Sequence, residues 1–192
     1  GGALYGPALT DRDSFSLLPR KTDDRRACGM VCKSLFLDGT LDCNAEYLNI
    51  FRETEDALDA QTELYQISDF SRFLLRTVDA DALAVRRRHN YARLKDALAQ
   101  LGASPICRIA EDACPLVLPV WVKDRDALRR RLMEHRIYCA VHWPFDGVQA
   151  DERPLAKKLA AQMLSLPIDQ RYDTAHIDYL MDTLDTYKGL LL

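Results

Sequence analysis

The chain has 192 residues, of which 48% are hydrophobic and 29% are charged, and its formal net charge is −3 at pH 7. This composition is typical of a folded globular protein and argues against global disorder, while the acidic balance disfavours a general nucleic-acid binder. No apolar run approaches the roughly 20 residues that span a bilayer, and the start lacks the features of a signal peptide. Six cysteines without a disulfide-framework spacing predict reduced thiols and a cytoplasmic location.

The first third of the chain is predicted to be loops followed by helices. Glycine and proline interrupt residues 1–40, where a short helix is expected around Arg26 to Leu37. From Asn44 to about Leu64 the apolar residues follow a loose helical period without Gly or Pro, which predicts a second helix.

Two further helices carry recognisable termini. Ser68 is predicted to cap one helix by accepting from amides one turn on. The residues expected on the buried face of that helix are Phe70, Phe73 and Leu74. Asp79 is predicted to cap a long helix over about 80–101, and Gly102 stands where a left-handed residue ends a helix.

The pattern after Gly102 alternates strands and helices. The expected segments are a strand within 115–122, a helix from Asp124 or Asp126, a strand from Ile137 to His142, a helix marked by Leu155 and Leu159, a strand from Leu164 to Ile168, and a last helix. Pro119 donates no ladder hydrogen bond, so its strand should lie at an edge or carry a bulge. The predicted fold class is α+β: a helical N-terminal half leads into a small domain with a short three-stranded, mainly antiparallel sheet covered by helices.

Several common sites are not indicated. The chain has no phosphate loop, no G-x-G-x-x-G, no H-E-x-x-H and no G-x-S-x-G motif. Cys28 and Cys32 have no second ligand pair after them, so no metal site is predicted. Cys139 lies in an apolar run, where a thiol is usually an inert part of the core.

The dipeptide His142-Trp143 is the strongest candidate for a binding site. Its two residues end a predicted strand and enter a loop before Pro144, where an imidazole can hydrogen-bond a phosphate or hydroxyl and an indole can stack on a sugar. The alternative is a half-buried strand end, with the tryptophan in the core and the histidine exposed to solvent.

Arg171 is a second candidate binding residue. It lies in a predicted strand-to-helix loop, where a guanidinium can bind a carboxylate. The alternative is an ion pair with Asp173 or Asp178. The arginine runs at 86–88 and 129–131 are interpreted as solvated helix faces rather than a phosphate-binding patch.

Taken in order, these segments resemble the C-terminal end of the DegT/DnrJ/EryC1/StrS family of sugar aminotransferases, which are fold-type-I pyridoxal-phosphate (PLP) enzymes. The motifs that carry the resemblance are Gly1-Gly2, Tyr65-Gln-Ile-Ser-Asp-Phe-Ser71, Arg87-Arg-His-Asn-Tyr91, Leu118-Pro-Val-Trp-Val122, Ile137 to Trp143, and Leu164 to Tyr172. Their order and spacing cover most of the chain from about 65 to 187, and residues 3–64 match only vaguely.

The resemblance implies the C-terminal portion of a homodimeric enzyme that uses PLP to transfer an amino group from an amino acid to a keto-sugar or similar carbonyl. Gly1-Gly2 resembles the glycines after the Schiff-base lysine, so that lysine is expected before Gly1 and the isolated chain is expected to be inactive. Residues 1–78 would be a remnant of the large PLP-binding domain, 79–102 a connecting helix, and 103–192 the small α+β domain. No membrane or nucleic-acid partner is implied.

The resemblance also assigns residues by position. Gln66 stands where many members contact the phosphate of the partner subunit's cofactor, and His142, Trp143 and Arg171 would face the substrate. Alternatives remain open: a non-catalytic binding or regulatory relative of the same fold, or an unrelated α+β interaction domain.

Overall fold

A computed structural model describes residues 16–17, 20–63, 65–142 and 153–192. The chain divides into two compact units, Gly1–Val78 and Asp79–Leu192. No helix among the described residues is both long and apolar enough to cross a membrane.

The described part of the first unit consists of three helices and one short pair of parallel strands. The elements are β1 (Ser16–Leu17), α1 (Arg20–Leu37), α2 (Asn44–Asp59), β2 (Tyr65–Gln66) and α3 (Asp69–Thr77). β1 and β2 pair in parallel with Leu17 opposite Gln66. The first predicted helix therefore begins earlier than expected, and the second ends five residues sooner.

Helices α1 and α2 pack as a hairpin. The ring of Tyr47 lies 5.7 Å from the ring of Phe36 and 5.8 Å from that of Phe51, within the range of aromatic pairs. Gly29 is buried at the crossing, where a Cβ atom would lie 2.8 Å from the side chain of Ile50. The missing side chain of this glycine thus permits the close approach of the two helices.

The prediction of a buried apolar face on α3 was wrong. Ser68 caps the helix as expected, accepting from the amide of Ser71 at 3.2 Å. Yet Phe70, Phe73 and Leu74 are 49%, 62% and 40% exposed. The amphipathic pattern is present, but α1 and α2 pack on each other and no described residue buries the apolar face of α3.

The second unit holds four longer helices, one short helix and one antiparallel strand pair in its described part. The elements are α4 (Ala80–Gln100), β3 (Val117–Trp121), α5 (Arg125–Glu134), α6 (Pro154–Gln162), β4 (Met163–Pro167), α7 (Thr174–Thr186) and a 3₁₀ turn (Lys188–Leu190). Asp79 caps α4 by accepting from Ala82, and Gly102 has a φ of 75° just beyond its end, as the sequence predicts.

The core of the second unit lies between the strand pair and the helices. β3 and β4 run antiparallel, with Pro119 opposite Ser165. Alternate residues of β3 are buried, and the carbonyl of Pro119 accepts from the amide of Ile106, on the side away from β4. The missing N–H of Pro119 therefore faces away from the ladder, which confirms the expected edge position. The fully buried side chains that fill the core are Leu94, Leu98, Leu118, Val120, Val122, Leu128, Leu132, Leu164, Leu166, Ile168, Ile177 and Leu184.

The predicted third strand, Ile137 to His142, does not form, and the sheet has two strands rather than three. Ala140 makes a single antiparallel bridge to Ser165. The carbonyl of Cys139 accepts instead from the guanidinium of Arg129 at 3.2 Å. A single bridge does not make a strand, so the α+β class stands with a smaller sheet.

Candidate functional site

A group of polar side chains joins α4 to the loop that follows β4. We call Arg87, Asn90, Asp169, Gln170 and Arg171 the loop-anchoring cluster. Arg87 and Asn90 are three residues apart, so they lie on the same face of α4. The Nε of Arg87 donates to the side-chain oxygen of Gln170 at 2.8 Å.

Asn90 is the buried centre of this cluster, with no exposed surface. Its Nδ2 donates to the carbonyls of Ile168, Asp169 and Tyr172 at 3.2, 3.2 and 3.0 Å. Its Oδ1 has no hydrogen-bond partner among the described residues. The side chain therefore acts as a donor that fixes the path of the loop backbone between β4 and α7.

Arg171 binds Asp169 rather than Asp173 or Asp178, so the expected ion pair was wrong in its partner. Its Nε and Nη2 each lie 2.8 Å from a different carboxylate oxygen of Asp169. Asp173 instead caps α7, and Asp178 pairs with Arg93 at 2.5 Å. A turn in the loop, with the amide of Tyr172 donating to the carbonyl of Asp169, brings the two groups together.

The electrostatics of this pair follow from its geometry. Burial raises the pKa of Asp169, but the hydrogen bonds and charge of Arg171 outweigh it and bring that pKa below its ordinary value. The hydrogen bond to Asp169 raises the pKa of Arg171 in turn. The Arg171 side chain is 64% exposed, so one edge of a paired guanidinium faces solvent.

The other predicted site residues are placed separately. His142 is half-buried, and its Nδ1 lies 2.9 Å from the hydroxyl of Ser165 in β4. Trp143 lies outside the described residues. Gln66 belongs to β2, and its side chain also lies outside what the structure describes. The structure therefore connects His142 to β4 and Arg171 to the loop after β4, and it does not bring the four residues into one described site.

Cys139 is buried, as its apolar neighbours predict, and burial raises the pKa of its thiol to about 12. A thiol with so little thiolate at neutral pH is a poor nucleophile. The residue is part of the core.

A groove of about 740 Å³ lies between α4 and the segment 103–111. Its charged rim includes Arg88, Lys95, Asp96, Arg108 and Glu111. None of the predicted site residues lines it.

The arginine run of α4 is not a simple solvated face. Arg87 binds Gln170, and Arg88 donates to the carbonyl of Asp112 at 3.4 Å while lining the groove. The charge pattern of this run predicted a solvated helix face and did not reveal the roles of Arg87 and Asn90. Their spacing of three residues along the helix could have predicted these roles, since it places two polar side chains on one face of α4.

The lysines bear on where a PLP cofactor could attach. Such a cofactor requires a lysine for its aldimine, an acidic partner for its pyridine nitrogen and an anion site for its phosphate. Of the lysines whose side chains the structure describes, none is buried. Lys123 donates to the carbonyl of Gly189, Lys158 lies over the ring of Trp121, and Lys188 pairs with Asp185.

Comparison with known proteins gives a family and a fold. The sequence profile of the DegT/DnrJ/EryC1/StrS aminotransferase family matches residues 74–185, which is more than half of the chain. No curated protein sequence matches the chain.

Two solved structures illustrate the likeness. A protein of Streptococcus pneumoniae, provisionally named a sugar aminotransferase and solved in its PMP form, aligns with a TM-score of 0.53 at 17% identity over 60% of this chain and 33% of its own. A sugar aminotransferase of Micromonospora echinospora aligns with a TM-score of 0.49 at 22% identity over 56% of this chain and 31% of its own. The fold likeness rests on the first of these, and this chain spans about a third of its length. With a family profile that covers more than half of its residues, the chain belongs to the DegT/DnrJ/EryC1/StrS aminotransferase family.

Proposed function

We propose that this chain is the C-terminal portion of a PLP-dependent aminotransferase that transfers an amino group from an amino-acid donor to a keto-sugar or related carbonyl. The observation that carries the proposal is the family match over residues 74–185, which coincides closely with the compact second unit, Asp79–Leu192. The aligned Streptococcus pneumoniae structure, of which this chain spans 33%, is consistent with a portion of a larger enzyme.

The proposal assigns a role to each part of the chain. Residues 1–78 would belong to the large cofactor-binding domain, 79–102 would connect the domains, and 103–192 would form the small domain. The Schiff-base lysine would precede Gly1, and PLP would supply the electron sink for amino transfer in the complete enzyme.

The loop-anchoring cluster would position substrate-facing residues. The three carbonyl acceptors of Asn90 belong to the stretch 168–172, which contains Arg171. Because Asp169 already neutralises Arg171, a substrate carboxylate would bind its exposed edge rather than both nitrogens that face Asp169. In the same proposal His142 and Trp143 contact the donor or the sugar.

The remaining assignments concern assembly and location. Gln66 would donate to the cofactor phosphate of the partner subunit in a homodimer, which requires its side-chain amide to act as a donor. The enzyme would act in the cytoplasm, where structural disulfides are rare.

The first test is intact mass after treatment with equimolar PLP and borohydride. The 192-residue chain alone should remain near 21.9 kDa without a specific phosphopyridoxyl adduct, and it should not transfer an amino group from glutamate. Amino transfer by this chain alone would show that the placement of the lysine before Gly1 is wrong.

The complete polypeptide that the proposal requires provides the matched control. It should carry one phosphopyridoxyl group on a lysine that precedes Gly1, and its Arg171→Gln variant should have a raised KM for the amino donor with its cofactor still bound. A complete polypeptide with Gln, His or Arg in place of that lysine, and with no adduct, would instead support a non-catalytic relative of the same fold.

A further inference from the structure

Two cysteines of the first unit face each other across the α1–α2 hairpin. Cys32 lies on α1, and Cys43 is the residue that precedes α2. The Cys43 thiol donates to the carbonyl of Cys32 with an Sγ–O distance of 3.1 Å. Cys43 is 5% exposed, whereas Cys32 is half-exposed.

This contact brings the two sulfurs within reach of each other. Within one residue the carbonyl oxygen and Cβ are about 3 Å apart, so the Cys43 sulfur lies at most about 6 Å from the Cβ of Cys32. The sulfur of Cys32 is one bond beyond that Cβ and moves by rotation about a single side-chain torsion. Burial raises the pKa of the Cys43 thiol, and the neighbouring Cys32 raises it further, which agrees with two cysteines that lie side by side.

The hairpin connection holds this arrangement in place. The amides of Thr40 and Leu41 both donate to the carbonyl of Leu35, at 2.9 and 3.1 Å. Gly39 has a φ of 70°, a conformation that glycine adopts without strain. The chain thereby folds back so that Cys43 returns to the level of Cys32 on α1.

We propose that Cys32 and Cys43 form a redox-modification site, in which a low-molecular-weight disulfide such as oxidised glutathione converts the two thiols to an intramolecular disulfide. The bond links α1 to the start of α2. The site lies in the first unit and does not depend on the proposed aminotransferase activity.

The reaction is a balanced two-step thiol–disulfide exchange. The more exposed Cys32 thiolate attacks one sulfur of oxidised glutathione, which breaks that disulfide and releases one glutathione thiolate. The Cys43 thiolate then attacks the sulfur of Cys32 in the mixed disulfide and releases the second glutathione thiolate. The two protons lost by the protein thiols are taken up by the two released thiolates.

The other cysteines serve as internal comparisons. Cys28 lies one helical turn before Cys32 and is exposed, and Cys107 and Cys114 are exposed in the second unit. No hydrogen bond to another cysteine is described for these three residues, so their thiols should stop at the mixed disulfide with glutathione. The pair should proceed to the protein disulfide because the Cys43 thiol already contacts the backbone of Cys32.

Peptide mapping tests the proposal directly. The folded chain is incubated with oxidised glutathione, the remaining thiols are alkylated, and the protein is cleaved with trypsin without reduction. Cleavage after Arg26, Lys33 and Arg52 places Cys32 and Cys43 on different peptides, 27–33 and 34–52. The expected product is a crosslink between these peptides that lacks about 2 Da relative to their reduced sum and disappears on reduction.

Two matched variants identify the sulfurs, because Cys28 shares a peptide with Cys32. Cys28→Ser should retain the crosslink, and Cys43→Ser should lose it while glutathione accumulates on Cys32. Far-UV circular dichroism checks that both variants fold. If one of them does not, the peptide map of the wild-type chain still tests the proposal. A crosslink lost in Cys28→Ser, or mixed disulfides alone at all cysteines of the wild type, would overturn the proposal.

Discussion

Replacing Asn90 tests whether the loop after β4 is fixed by the donors of a single buried amide. Asn90→Ala removes both N–H groups that serve three carbonyls, while it also removes an oxygen without a described partner. Two lost donors at about 1 kcal/mol each, with little gained from the removed oxygen, give a loss of about 2 kcal/mol in the free energy of unfolding. For a unit of this size that corresponds to a Tm lower by about 10 °C.

Asn90→Asp is the more discriminating variant because it changes the chemistry and keeps the shape. A carboxylate would face three carbonyl oxygens in a buried position, so its pKa in the folded protein must rise well above the unfolded value of about 3.9. A raised folded pKa means that stability is present below the unfolded pKa and is lost as pH rises. If the carboxyl group introduced by Asn90→Asp stays neutral in the folded protein at pH 7, the free energy of unfolding falls by about 4 kcal/mol. Near pH 4 the same pKa difference lowers it by less than about 1 kcal/mol.

Urea unfolding followed by tryptophan fluorescence measures both variants. Trp121 lies in β3 of the second unit, so its fluorescence reports on the unit that contains the cluster. Asn90→Asp should be at least about 2 kcal/mol less stable than Asn90→Ala at pH 7, and the gap should close towards pH 4. Equal stability of the two variants across this pH range would refute the donor role of Asn90.

For two further substitutions the structure predicts a loss of stability. Asp169→Asn should lower the free energy of unfolding by about 1 kcal/mol at pH 7. The pKa of Asp169 is lower in the folded protein than in the unfolded chain, so its carboxylate stabilises the fold above the unfolded pKa. This stabilisation is lost as the pH falls through the folded pKa, and the difference between the two proteins should then vanish. A difference that persists unchanged at pH 2 in urea titrations would contradict this reasoning. Gly29→Ala should destabilise by about 1 kcal/mol rather than give the usual helical gain, because its Cβ would lie 2.8 Å from Ile50 and 2.9 Å from Phe51. Circular dichroism during thermal unfolding measures it, with Gly189→Ala, which meets nothing within 4 Å, as the control.

The features that the sequence predicted correctly are local ones. Ser68 and Asp79 cap their helices, and Gly102 takes the left-handed conformation beyond α4. Each depends on a side chain or a φ angle within a few residues of the position it controls. A pattern of a few letters therefore contains the whole physical cause.

The incorrect predictions depend on distant partners. The apolar spacing of Phe70 and Phe73 defines a face of α3, but burial needs a second surface that the pattern does not identify. The segment around Cys139 has the composition of a strand, yet it pairs with β4 only through a single bridge at Ala140. Arg171 pairs with Asp169 through a turn, whereas the sequence had suggested Asp173 or Asp178 as its partner.

The polar face of α4 links family membership to the structure. Arg87, Asn90 and Arg93 recur every three residues, and they contact Gln170, the loop backbone and Asp178 respectively. This face therefore holds the end of β4 and the start of α7 against one helix. The Arg-x-x-Asn-Tyr segment that resembles the family is thus explained here by folding, since none of these contacts needs a cofactor or a substrate. In the proposed enzyme, the motif would keep the small domain's substrate-facing loop rigid while the lysine chemistry takes place in the large domain. Loss of Asn90 should accordingly affect stability and donor binding before it affects the cofactor.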